Sequence, residues 1–172
     1  SLSGAQSIYK VKPDLSIIGK AMGNGYPISA VLGNKSIMDE AISKVYVSST
    51  FFANSVDQIA ALSTIKFLEK KKVIEKNNAK GLYIKKKLEK IVKQQKFSCS
   101  FSGGIWFPFI SFHEKNENLN KSLRNKFYEY LINKKIFLAP YHHAYIMYDH
   151  SMNDLENYIH QIEQSFHNLN KL

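Results

Sequence analysis

The sequence predicts an α/β fold built in two parts, and three observations carry that reading. Two short apolar runs flank a glycine-rich loop near the start of the chain. Two long central stretches repeat their apolar residues at helical spacing. Beyond residue 96, short apolar runs alternate with further helical faces.

Residues 15–19, with Leu15, Ile17 and Ile18, read as a buried strand after Pro13, and residues 28–33 read as a second. Between them GKAMGNGYP, residues 19–27, holds Gly19, Gly23, Gly25 and Pro27, which is loop chemistry rather than a helix interior. Residues 36–44 read as a short helix, and Val45-Tyr46-Val47 as a strand ending in Ser48-Ser49-Thr50. Ile59, Leu62, Ile65 and Leu68 then mark a long helix in which Ala60 and Ala61 permit close packing. Asn77-Asn78 reads as a break before a second amphipathic helix with Leu82, Ile84, Leu88 and Ile91. Residues 105–112 read as a strand with Pro108 at an edge or bulge. Leu123, Phe127, Tyr130 and Leu131 make a helix face, and residues 136–138 and 144–148 read as short strands around Pro140. The last helix starts at Ser151-x-x-Asp154, a capping-box pattern, and its face is Leu155, Ile159, Ile162, Phe166 and Leu169.

Composition excludes several classes. The chain has 172 residues, 44% of them hydrophobic, which is enough for a packed core and too much for disorder. A single cysteine, Cys99, forms no internal disulfide and points to a reducing, cytoplasmic setting. No apolar run approaches the roughly 18 residues needed to span a bilayer, so no membrane partner is expected. The start, Ser1-Leu2-Ser3-Gly4, has neither an initiator Met nor a signal-peptide pattern, and the expectation is a chain cut from something longer. The net charge of +10 rests on lysine, because Arg124 is the sole arginine. The Lys70-Lys71-Lys72 and Lys85-Lys86-Lys87 runs lie in helical patterns that also carry Glu69, Glu75 and Glu89. They read as solvated faces rather than a nucleic-acid surface.

Lys20 carries the most chemistry. It directly follows an apolar run, where desolvation of an ammonium lowers its pKa and makes the amine nucleophilic, as an imine-forming lysine requires. Glycines around it let a flat group approach the backbone. The other reading is a lysine snorkelling from a strand end into solvent. His142, His143 and His150 lie close in sequence, but no cysteine or paired carboxylate sits at metal-ligand spacing, so they read as packing or pocket-lining side chains.

Residues 4–39, GAQSIYKVKPDLSIIGKAMGNGYPISAVLGNKSIMD, resemble the segment around the cofactor lysine of class III pyridoxal-phosphate aminotransferases, most of all the glutamate-1-semialdehyde aminotransferase and aminomutase branch. Residues 48–69, SSTFFANSVDQIAALSTIKFLE, resemble the family's STF-x-x-N-P stretch, and residues 127–166 resemble its small domain with an LAP strand. The resemblance covers nearly all of the chain. It implies the type I fold of pyridoxal-phosphate transferases, with residues 1–75 as the end of the large domain and residues 76–172 as the small C-terminal α+β domain. It implies that Lys20 holds pyridoxal 5'-phosphate as a Schiff base, the internal aldimine, and moves protons during transamination between a small amino donor and a carbonyl acceptor. It also implies a homodimer in which Thr50, with Ser49 beside it, gives its hydroxyl and N–H to the phosphate of the partner's cofactor. A Ser-Thr pair before a helix is in physical terms a ready anion site, or else a plain N-cap. The pyridinium's carboxylate partner and the stacking aromatic are expected upstream of Ser1.

Three departures bear on substrate. Ser55 stands where the family often has proline, Asp149-His150-Ser151 replaces its AHT, and residues 141–145 hold no counterpart of the aminomutase pocket glutamate. Two other functions stay open at this point: an aminomutase using the same Lys20, and a non-catalytic basic module. A partial sheet is further expected to leave open edges and an uncovered apolar face, so that this piece alone dimerises or dissolves poorly.

Overall fold

The computed structural model describes residues 1–48, 50 and 54–171. They separate into two compact units, Ser1–Ile74 and Glu75–Leu172.

The first unit opens with a short helix α1 (Ala5–Tyr9), a feature with no periodic apolar signal of its own. Strands β1 (Leu15–Ile18) and β2 (Ala30–Gly33) follow and pair antiparallel with Ile18 opposite Ala30. A single 3₁₀ turn, Lys20–Met22, begins the loop between them. Helix α2 (Lys35–Lys44) starts where the Asn34 side chain accepts the Ser36 N–H, and Lys35–Asp39 and Lys44–Glu40 pairs lie along its exposed side. Helix α3 (Ser55–Lys70) ends at Lys71, and Lys72 takes a positive φ of 50° before the next helix.

Three expectations are corrected in this unit. The β1–β2 ladder is not buried: Ile17 is 81% exposed, because the two strands pair only with each other and no described strand extends their sheet. Residues 45–47 form no strand. The Val45 N–H closes on the Ala41 carbonyl at the end of α2, and Tyr46 stands in solvent. The covered positions of α3 are Asp57 and Ala61, with Thr64, Ile65 and Leu68 half-buried, while Ile59 and Leu62 are exposed.

The second unit contains nearly all of helix α4 (Val73–Lys93), then the antiparallel pair β3 (Cys99–Ser102) and β4 (Phe109–Phe112), helix α5 (Glu117–Asn133) and helix α6 (Met152–Leu169). Its core joins Ile84, Leu88 and Ile91 of α4 to Leu123, Phe127 and Leu131 of α5 and to all five anticipated positions of α6. Phe127 lies 5.5 Å from both Phe112 and Phe166, ring centre to ring centre, an aromatic cluster between β4 and the two helices. Buried Pro108 stands just before β4, and β3 is a strand that the sequence reading lacked.

The Asn77-Asn78 break does not occur, because both side chains bond outward from a continuous α4. Asn77 Nδ2 donates to the Ile146 carbonyl at 3.2 Å, and Asn78 Oδ1 accepts from Trp106 Nε1 at 2.7 Å. Gly81 in the same helix is required by close approach, since a Cβ there would collide with the Ile105 carbonyl. Residues 136–138 and 144–148 are not strands. The Ile136 N–H is taken by the Leu131 carbonyl, which closes α5 with Lys135 at φ 62°. The 144–148 stretch is held by α4 side chains instead, with Lys80 Nζ donating to the Tyr148 carbonyl at 2.6 Å.

The capping box of α6 forms as the pattern indicates. Asp154 accepts from the Ser151 N–H and hydroxyl, each at 2.7 Å, and these bonds hold its carboxyl below the usual carboxylate range. A carboxyl held low stabilises the fold above its unfolded pKa and loses that contribution as pH falls through the lowered value. The melting-temperature gap between parent and Asp154→Asn is therefore expected to be full at pH 7 and to shrink steadily as the solution is acidified below the carboxylate range.

Candidate active site

Strand β1 delivers the chain into a turn fixed by its own backbone. Gly19 is extended, and Lys20 sits in the left-handed region at φ 49°. A non-glycine residue there carries roughly 1–2 kcal/mol of strain, so something must hold it. The Lys20 carbonyl accepts the N–H groups of Gly23 at 3.0 Å and Asn24 at 3.2 Å, and the Met22 N–H closes on Gly19. Gly23 makes this possible: a Cβ there would collide with the Tyr26 carbonyl and come within 2.7 Å of Ile28 Cγ2. Asn24 in the same loop is left-handed too, at φ 48°, so the positive φ belongs to the turn, which sets where the Lys20 side chain starts from. The side chain of Lys20 is exposed, and among the described residues its amine joins no ion pair.

Helix α3 packs against this turn. Thr50 is an exposed turn residue five positions before the helix, and Ser49 lies outside the described residues. Thr50 is not the cap of α3. Asn54 is, with its Oδ1 accepting the Val56 N–H at 3.0 Å, and Asp57 adds a negative charge to the first turn. The helix field at that end is thus already answered and does not favour a further anion. An anion near Thr50 would be held by that residue's own hydroxyl and N–H. An exposed amine on a pre-set turn suits a ligand with an electrophilic carbonyl, and the hydroxyl of Thr50 suits an anionic group.

The second unit holds a cavity of about 560 Å³ lined by His142, His143, His150 and Tyr158 together with apolar side chains such as Ile84 and Leu138. His143 lies 5.0 Å from the Phe107 ring and 5.7 Å from Phe109, centre to centre. His150 Nδ1 accepts the Met147 N–H. No group of three or more metal-ligating side chains converges among the described residues. Arg124 is not a free surface cation: its guanidinium stacks 4.4 Å from the Tyr141 ring centre, and Tyr141 is itself left-handed at φ 61°. Burial pushes the Tyr128 phenol up, an effect that Arg124 partly offsets. Burial, helped by Glu114, raises the Cys99 thiol to about 11, so it stays protonated near neutrality and is a poor nucleophile. No helix among the described residues is long and apolar enough to cross a membrane.

Sequence reasoning missed Asp57, the strain at Lys20 and the Arg124–Tyr141 stack. The cap at α3 was legible in principle from Asn54 two residues before Val56.

Comparison with known proteins bears on these residues. The family model described as aminotransferase class-III matches residues 3–162. The chain is 40% identical over its whole length to 3-aminobutyryl-CoA aminotransferase of Cloacimonas acidaminovorans, of which it covers 42%. It is 30% identical over 96% of its length to glutamate-1-semialdehyde 2,1-aminomutase of Archaeoglobus fulgidus, again covering 42%. The chain thus spans less than half the length of these relatives. Among solved structures it resembles the FumI protein of Sphingopyxis sp. MTA144 in its PLP internal aldimine form. The TM-score is 0.85 at 23% identity, over 98% of this chain and 40% of that one. That likeness establishes the fold as the type I fold of pyridoxal-phosphate-dependent transaminases.

Proposed function

The chain belongs to the class-III aminotransferase family, and from that premise we propose that it is the C-terminal part of a pyridoxal-phosphate-dependent aminotransferase. The observation that supports this most is Lys20, an exposed amine on a strained turn at the end of β1, inside the region the family matches. In this reading Ser1–Ile74 is the end of the cofactor-binding domain and Glu75–Leu172 the small domain.

Each residue then has a role. Lys20 Nζ holds the carbonyl end of the cofactor, and the left-handed turn fixes where that amine starts from. Thr50 holds the phosphate through its hydroxyl and N–H, across a homodimer interface, with Ser49 beside it. Bound pyridoxal phosphate supplies an electron sink for charge that develops on the substrate carbon bearing the amine. Lys20 Nζ would then accept the proton from that carbon and deliver it to the carbon on the other side of the shared nitrogen, a general acid–base task. Arg124 is committed to Tyr141, so a clamp on a substrate carboxylate is assigned to the rest of the polypeptide. We place the protein in the cytoplasm, where a lone protonated thiol needs no partner.

The 40% identity to an enzyme named for 3-aminobutyryl-CoA supports an amine β to an acyl thioester as the donor. The aminomutase relative keeps intramolecular amino transfer as the second reading. The two separate on acceptor dependence. With cofactor, the complete polypeptide should transfer the amino group of a β-amino acyl thioester only when a 2-oxo acid is added. Steady turnover of glutamate-1-semialdehyde with no acceptor would support the mutase. Failure to transfer from either substrate class, with or without acceptor, would overturn both.

A further inference from the structure

The cavity of the second unit has a small annex. It measures about 20 Å³ and is lined by Tyr128 of α5, Tyr158 of α6 and His142, with Pro108 and Leu138 among its apolar neighbours. His142, Tyr158, Pro108 and Leu138 also line the larger cavity. A volume of that size has room for one water molecule, which needs two to four polar partners. The phenols supply two. Burial pushes the hydroxyls of both tyrosines up, and Tyr128 adds to the effect at Tyr158, so the two phenols lie near one another. A buried tyrosine hydroxyl is normally hydrogen-bonded. Tyr130 donates to Gln161 Oε1 at 3.4 Å, and the Tyr148 hydroxyl accepts from Lys76 Nζ at 3.3 Å. The hydroxyls of Tyr128 and Tyr158 make no direct hydrogen bond to another described residue. His142 supplies the third partner. Its Nδ1 meets the His143 carbonyl at 3.0 Å, and a carbonyl only accepts, so Nδ1 carries the proton and Nε2 of the neutral ring is left as an acceptor.

We propose that this annex binds a single water molecule, which accepts from the Tyr158 hydroxyl and donates to Tyr128 Oη and to His142 Nε2. The water ties α5 and α6 to the irregular connection between them. Direct contacts anchor that connection on either side of His142: Arg124 stacks on Tyr141 at 4.4 Å, and Lys80 Nζ holds the Tyr148 carbonyl at 2.6 Å. Between these anchors the hydrogen bond of the His142 side chain goes only to its neighbour His143. The bridging water is what fixes this part of the connection to the helices, and with it one wall of the larger cavity. An apolar occupant would leave both phenol hydroxyls unbonded, and a larger polar one exceeds the volume.

The test has a structural and a solution arm, both on the complete polypeptide. A crystal structure that resolves ordered water should show one molecule within about 2.5–3.2 Å of both Tyr158 Oη and Tyr128 Oη. An annex without that water, one filled by a side chain or by another segment of polypeptide, or a direct bond between the two phenols overturns the proposal. In solution, Tyr128→Phe, Tyr158→Phe and the double variant are compared by thermal unfolding. These changes keep the rings and remove only the hydroxyls. Each single variant should melt about 1–3 °C below the parent. The double variant should lose less than the two single deficits together, because either change already weakens the shared water. A Tyr158→Phe variant that melts with the parent or above it overturns the proposal, since a buried hydroxyl that bonds to nothing is better removed. Fully additive deficits overturn the bridge as well. None of these readouts depends on turnover, so they stand apart from the assignment of Lys20.

Discussion

Lys20→Ala in the complete polypeptide is expected to lower amino-transfer turnover by at least about 10²–10⁴-fold, the range removed with a general acid–base group, with a further loss from the missing covalent anchor. The loss should appear in kcat and not be rescued by excess cofactor, since the amine acts on the reacting carbon as well as on binding. Lys20→Arg should fail similarly. It keeps the charge but offers no amine that can be deprotonated near neutrality. Because Lys20 is exposed and joins no described ion pair, both variants should unfold within about 0.5 kcal/mol of the parent. Steady-state kinetics beside denaturant unfolding separates the loss of chemistry from any loss of fold.

The second large effect is structural. Phe127→Ala is expected to destabilise the second unit by about 3–5 kcal/mol. Phe127 is 1% exposed and touches the aromatic rings of both Phe112 and Phe166, so truncation opens a void where β4, α5 and α6 meet. The Phe112 ring is edge-on and the Phe166 ring tilted, and they come from two other elements, which limits how far the site can collapse. Leu82→Ala on the exposed side of α4 is the control and should shift the denaturant midpoint little.

What the sequence made legible divides along physical lines. Periodic faces that meet a partner within the chain were readable, and all five positions of the α6 face are buried as their spacing indicates. Its capping box was readable because both members lie within one turn. The α3 face misled for the opposite reason. Ile59 and Leu62 carry the periodic signal but stay exposed, and Asp57 and Ala61 are what the packing covers. Short apolar runs misled wherever another element had taken their backbone or side-chain partners. Ile136 closes α5, and residues 144–148 lean on Asn77 and Lys80. Apolar content alone does not distinguish such a stretch from a strand.

The candidate site divides in the same way. The position of Lys20 after an apolar strand was legible, and its left-handed backbone was not. Nothing in a lysine's chemistry encodes a positive φ; the turn imposes it through Gly23 and two N–H groups that converge on one carbonyl. The expected burial of Lys20 came from reading β1 as a buried strand, and β1 is open on this chain. Thr50 was read as part of a helix start, but Asn54 supplies that cap.

The central claim is that Lys20 Nζ is the amine that takes the cofactor. Borohydride reduction of the complete polypeptide loaded with pyridoxal phosphate, followed by peptide mass mapping, tests it most directly. The account predicts one reduced adduct, on Lys20, and its absence from Lys20→Ala. A stoichiometric adduct on another lysine, or one that survives at full yield in Lys20→Ala, would contradict it.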